Sequence, residues 1–321
     1  MLVHTDNATH TLIVNPVNGR EIVCAFHDID GTHSLIRNWP PVMSRVLHDT
    51  AVNGIPADIT SEDNINRLVA LCAVEPLEET DRFCVESAGL SALTQMEWAI
   101  RRNQELTHGP YDSPLNSEII QRIWKGEEKF EQFTEPQAYL DYLAEVTPKL
   151  FWVYEQVLNR FCRDNNLKAA RQDPKKFLVP GSMAFMQHLH DCGIKNYFVT
   201  GAVVDKSIVP PMGMYEEVLA LGFDIGEGKL VEDILGSTWD EKIPKDEVMR
   251  RLVAQLGISG ENVLVLGDGR SEISAGAALG AVNVSVLPET ALRQRELHRE
   301  LGTNIILQDF RSDDLTAIFH P

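Results

Sequence analysis

Residues 24–41 read "CAFHDIDGTHSLIRNWPP" and join an apolar run to the acidic turn Asp28-Ile29-Asp30-Gly31-Thr32. The run "EIVCAF" is apolar after its first residue, the pattern of a strand covered on both faces in a parallel sheet. Two carboxylates one residue apart, where such a strand ends, suit a metal ion or a catalytic pair. A calcium-binding EF-hand loop is excluded by spacing. It needs acids at its first, third and fifth positions, Gly at the sixth and Glu at the twelfth. Counted from Asp28, Gly31 is fourth, Ser34 seventh and Trp39 twelfth.

The rest of the reading comes from further along the chain. In an open α/β sheet, ligands bind beyond the carboxyl ends of the strands. The run "NYFV" leads to Thr200-Gly201, and "NVLVL" leads to Gly267-Asp268-Gly269, with Glu272 one helical turn beyond. Three strand ends therefore carry carboxylates, a hydroxyl and glycines. Any one of these arises easily by chance; their convergence does not.

From about residue 172 onward, short apolar runs alternate with amphipathic stretches. Helices are expected over 181–191, "DEVMRRLVAQLG", "EISAGAALG" and "TALRQRELHREL". Strands are expected at "NYFVT", "NVLVLGDG", "AVNVSVL" and "NIIL". The alternation predicts an α/β fold, a doubly wound parallel sheet of Rossmann-like type, to which residues 21–27 also belong. A further strand, "THTLIV", precedes an Asn-Gly turn.

Residues 45–170 look helical throughout. Ser61 caps one helix, with Ile65, Leu68, Val69 and Cys72 on a single face. Thr134 and Gln137 form a capping box, and Pro148 takes a first helical position. Phe151, Trp152, Tyr154 and Phe161 recur at helical spacing and read as core. Arg101-Arg102 reads as a solvated helix face. The expected organisation is a core of 1–44 and 171–321, interrupted by an all-helical domain of 45–170.

The set resembles the haloacid dehalogenase-like (HAD) phosphohydrolase superfamily, and within it the phosphoserine- and phosphoglycolate-phosphatase-like members. "CAFHDIDGT" matches its first motif and "YFVTG" its second. A lysine before "EVMRRLVAQLGI" matches the third, and "VLVLGDGRSE" the fourth, with Glu272 in place of the usual last Asp. "LVPGSMAFMQHLHDCGI" resembles the Pro-Gly helix ahead of the second motif in many members. The resemblance covers about 20–45 and 172–320; it reaches the helical segment only in its position and type, that of a cap domain. Lys242 and Lys245 compete for the third motif. Lys245 is preferred, because its distance from Asp268 and its Lys-x-x-Val opening match phosphoserine-phosphatase-like members. A cation at a helix N-terminus also works against the macrodipole, which hints at a task.

The resemblance implies a Mg²⁺-dependent phosphatase acting on a small phosphorylated metabolite. Asp28 is the implied nucleophile, forming an aspartyl-phosphate, and Asp30 the acid and base. Asp28, the carbonyl of Asp30, and Asp268 would hold Mg²⁺, with Glu272 as direct or water-mediated ligand. Thr200, the Gly201 amide and Lys245 would bind phosphoryl oxygens. Asp30 favours phosphate esters, because members cleaving carbon–halogen or carbon–phosphorus bonds lack that acid. A phosphomutase remains an alternative, as does a catalytically weak binding or regulatory protein. His33, Ser34 and Arg37 begin the passage into the helical segment and are candidates for substrate contact. His27 reads as a packed or hydrogen-bonded residue at a strand end.

The formal net charge of -18 repels phosphate backbones, so nucleic acid is not an expected partner. The opening "MLVHTDNATHTLIV" has neither a basic start nor a long apolar core, and no run suits a membrane helix. A cytoplasmic protein is expected. The five cysteines are scattered with no C-x-x-C pair, which favours buried free thiols over zinc or disulfides. Oligomeric state is not legible.

Overall fold

The computed structural model describes residues 2–3, 11–15, 17, 19–36, 39–72, 77–87, 89–209, 212–239, 241–312 and 315. Among them are the strands β1 (Leu2–Val3), β2 (Thr11–Ile13), β3 (Cys24–His27), β4 (Lys195–Val203), β5 (Asp233–Ser237), β6 (Val263–Gly267), β7 (Val282–Val286) and β8 (Ile305–Leu307). They form one sheet in the order β1-β2-β8-β7-β6-β3-β4-β5. The six strands from β8 to β5 run parallel. The first two attach antiparallel at one edge. β2 therefore pairs with β8 rather than with the strand that follows it in sequence, and the Asn-Gly segment does not join neighbouring strands.

β3 occupies the middle of the sheet, with Phe26 level with Tyr197 of β4 and Val265 of β6. Side chains alternate between the faces. Cys24 and Phe26 pack with Val263 and Val265 against Val248, Met249 and Leu252 of the helix Lys245–Leu256. Ala25 packs with Leu264 and Leu266 against Phe185 and Leu189 of the helix Ser182–Asp191 on the opposite face. Both faces are covered, which is why the strands read as unbroken apolar runs. The alternation also assigns the strand end: Asp28 follows Phe26 onto the face of the helix Lys245–Leu256, while His27 follows Ala25 to the other.

The chain divides into two compact units. The sheet unit comprises 1–37, 167–237 and 243–321; the second comprises 38–166 together with 238–242. Its edges lie a few residues earlier than sequence suggests, because a helix begins at once at Trp39, with Pro40 and Pro41 in its first turn. The five-residue return segment was not foreseen.

The second unit is helical. Phe83 stacks on Trp98 at 4.0 Å between ring centroids, and Trp124 closes edge-on against both. Ser61 does cap its helix, its hydroxyl accepting from the Asn64 amide at 3.2 Å. Three local readings need correction. The helix Gln137–Leu158 starts after Pro136, so Thr134 and Gln137 make no capping box, and Pro148 lies inside it. Of the four aromatics, Phe151 and Tyr154 are buried, whereas Phe161 is exposed on the π-helical turn Asn159–Arg163. Arg101 is not solvated. It is buried, and donates to Glu97 at 2.8 Å and to Glu135 at 2.7 and 2.9 Å, because an interior guanidinium must be paired. Among the described residues no helix is long and apolar enough to cross a membrane. The five cysteines are in no disulfide; Cys24 and Cys84 are buried as expected, whereas Cys72, Cys162 and Cys192 are half-buried.

Candidate active site

The carboxyl ends of β3 and β6 lie side by side, and the backbone amide of Asp28 donates to the Leu266 carbonyl at 2.9 Å. Beyond β3 the chain turns tightly. The amides of His33 and Ser34 both donate to the Ile29 carbonyl, at 2.9 and 2.8 Å, and the Gly31 amide donates to the Ser34 carbonyl at 2.9 Å. Gly31 has φ of 78°, a left-handed conformation a side chain would oppose. The turn leaves Asp28 buried and Asp30 half-buried. Thr32 Oγ1 makes a long contact, 3.5 Å, with Asp28 Oδ2.

Lys245 opens the helix on the Asp28 face of the sheet. Its Nζ lies 2.6 Å from Asp28 Oδ1 and also donates to Glu272 Oε1. All three groups are buried. One ammonium is thereby shared by two carboxylates brought from different strand ends. Lys242 goes elsewhere: it pairs with Glu97 at 2.7 Å within the helical unit. The structure thus separates the two lysines that compete for the third motif. Only Lys245 meets the acidic strand ends.

Glu272 turns back over its own helix start because two glycines leave it room. A Cβ on Gly267 would lie 2.8 Å from Glu272 Cβ, and one on Gly269 would lie 2.5 Å from Glu272 Oε2. Oε2 is buried with no hydrogen-bond partner among the described residues. A buried carboxylate oxygen without a donor is costly unless a cation or proton meets it. The donor chemistry thus fits a hard cation, with Asp28 and Glu272 as oxygen donors. Asp268, half-buried, follows β6 directly. Among the described residues no group of three or more His, Cys, Asp or Glu side chains is drawn together as a cation cage.

Thr200 and Gly201 do not follow β4 but lie within it, at a register irregularity between Val199 and Val203. Thr200 is buried, and its Oγ1 accepts from the Ala202 amide at 3.1 Å. Arg37 lies outside the described residues. His33 and Ser34 are fully buried rather than turned to a substrate. Ser34 Oγ donates to Glu217 Oε1 at 2.7 Å and accepts from the Ile36 amide at 3.0 Å. His33 stacks on Phe310 at 4.9 Å and bonds to His27 and Ser182. Sequence reasoning missed Ser182, Asn196 and Glu217 as partners of this turn; nothing in their local pattern marks them.

A model of haloacid dehalogenase-like hydrolases matches residues 28–280. No curated protein matches the sequence. A structure from Lactobacillus delbrueckii subsp. bulgaricus, assigned as a phosphoglycolate phosphatase, is 13% identical with a TM-score of 0.50, covering 94% of this chain and 100% of its own. A predicted phosphatase from Clostridium acetobutylicum is 14% identical with a TM-score of 0.46, covering 92% and 97%. A β-phosphoglucomutase from Clostridium difficile is 11% identical with a TM-score of 0.46, covering 91% and 94%. At 13% identity the first of these bears on the fold alone, and the other two carry no argument. The family match takes in Asp28 at one end and the whole helix that follows Asp268 near the other. The chain belongs to the haloacid dehalogenase-like hydrolases.

Proposed function

We propose that the protein is a Mg²⁺-dependent phosphatase of small phosphorylated metabolites, working through a phosphorylated Asp28. The observation that carries this reading is the buried meeting of Asp28, Lys245 and Glu272 at the ends of the two central strands. A carboxylate fixed by an ammonium on one oxygen keeps the other for attack on phosphorus.

In this reading the Asp28 carboxylate attacks the phosphoryl group, and the ester oxygen leaves with a proton from Asp30. Asp30, now ionised, takes a proton from the water that cleaves the acyl phosphate and frees Asp28. Lys245 holds Asp28 before substrate arrives and a phosphoryl oxygen afterwards. The Thr200 hydroxyl and Gly201 amide hold the others. Arg37 is the proposed contact with the remainder of the substrate. Asp28, the carbonyl of Asp30, Asp268 and Glu272 would hold Mg²⁺, which neutralises the repulsion between a carboxylate and a phosphomonoester dianion. The helical unit is proposed to serve as the cap that excludes water and selects the leaving group.

The test is a Mg²⁺-supplemented screen of sugar phosphates, phosphoglycolate, phosphoserine and nucleoside monophosphates. Release of inorganic phosphate from at least one, lost on chelation with EDTA and restored by Mg²⁺, is the expected result. Isomerised phosphosugar with no free phosphate would point to a mutase. Bound metal with no turnover of any compound would overturn the reading.

A further inference from the structure

Beneath the Asp28 turn, on the face of the sheet away from Lys245, four side chains form one buried line. Ser182 Oγ lies 2.6 Å from His33 Nδ1, His33 Nε2 lies 2.9 Å from His27 Nδ1, and His27 Nε2 lies 3.0 Å from Asn196 Oδ1. All four residues are at most 1% exposed.

The direction of every bond follows from one end. Asn196 Nδ2 donates both its protons to backbone carbonyls, of Met186 at 3.1 Å and Leu230 at 3.0 Å, so its Oδ1 must face His27. An amide oxygen only accepts. His27 Nε2 therefore carries a proton. A ring this buried, edged by Phe198 and the second imidazole and bonded among the described residues to an imidazole and an amide oxygen but to no carboxylate, is neutral, because nothing there compensates a buried charge. His27 Nδ1 must then accept, His33 Nε2 must donate, and His33 Nδ1 must accept from the Ser182 hydroxyl. Both rings are fixed in the Nε2–H tautomer.

The two imidazoles stand at the two feet of the turn. His27 is the residue before Asp28. His33 ends the turn, and its carbonyl accepts from the Val179 amide at 2.9 Å, just ahead of the helix Ser182–Asp191. We infer that His33 is a positioning residue: its bond to His27 staples the turn carrying Asp28 and Asp30 onto β4 and the Ser182 helix, and so sets the attack geometry. The functional half of the inference rests on the phosphatase reading; the tautomer half does not.

The test has two arms. In the native protein, long-range ¹⁵N–¹H correlation spectra of the histidine rings are expected to show both in the Nε2–H form at neutral pH. An Nδ1–H or doubly protonated ring at either position would overturn the relay, whatever the activity. In the second arm, His33→Phe keeps the ring stacked on Phe310 but removes both bonds. It is expected to lower kcat about tenfold or more while KM moves less than about twofold. His33→Gln, which restores a donor toward His27, is expected to recover part of the loss. ¹³C resonances of the Asp28 and Asp30 carboxyls should shift in His33→Phe even if no substrate is known. A folded His33→Phe protein with unmoved carboxyl resonances would overturn the positioning role.

Discussion

Lys245 Nζ lies 2.6 Å from Asp28 Oδ1, across 217 positions of sequence. The same ammonium also meets Glu272. One cation answers two buried carboxylates, so the lysine is the part whose removal costs most. Truncating Lys245 leaves two interior charges of like sign uncompensated. Lys245→Met should therefore cost about 3 kcal/mol of stability, read by chemical denaturation. Added Mg²⁺ should restore more stability to this variant than it adds to the native protein. Unchanged stability would show that the carboxylates find another partner.

Lys242 supplies the contrast. It answers Glu97, which also binds Arg101 in the interior of the helical unit. Lys242→Met should leave kcat within about threefold of native. A loss of about a hundredfold or more would give Lys242 the role proposed for Lys245.

Glu97 also gives an acid limb to stability. Burial alone would raise its pKa; the charges of Lys242 and Arg101 outweigh that and bring it from 4.5 to about 2. The unfolded chain thus binds a proton more readily than the folded one. The stabilisation is complete above about pH 4.5 and disappears as pH falls toward 2. Its size is on the order of 3 kcal/mol. Glu97→Gln should flatten the fall in melting temperature between pH 5 and pH 3 relative to the native protein, because it removes the group whose protonation causes it.

Gly269 has φ of -96°, so an added side chain meets no backbone strain, and the atoms nearest to it are those of the Glu272 carboxylate. Gly269→Ala should displace Oε2 while leaving the fold intact. Calorimetric titration should show Mg²⁺ binding weakened about tenfold or more. Equal affinity would separate Glu272 from the metal.

The sheet was readable because covered parallel strands must be apolar on both faces, as "NVLVL" and "AVNVSV" are. The acidic strand ends were readable for the converse reason: Asp28 and Asp268 interrupt such runs. β5 and the helix Gly213–Ala220 escaped notice. The strand "DILGS" carries a glycine beside Thr200, where only 3.0 Å separates an added Cβ from Thr200 Cγ2, so close packing rather than propensity decides its sequence. Arg101 was misread because a helix-surface arginine and a buried, doubly paired one look identical until Glu97 and Glu135 are brought to it. The bonds that fix His33 lie 6 and 149 positions away and leave no periodic trace.

Covalent phosphorylation of Asp28 is the step on which the proposed reaction turns. Rapid acid quench during turnover of a ³²P-labelled substrate, followed by borohydride reduction of the acyl phosphate and peptide mapping, tests it most directly. The expected result is acid-stable label on the native chain, homoserine at position 28 after reduction, and neither in Asp28→Asn, which should fold normally and be inactive. Continued turnover by Asp28→Asn, or label mapping to another residue, would contradict it.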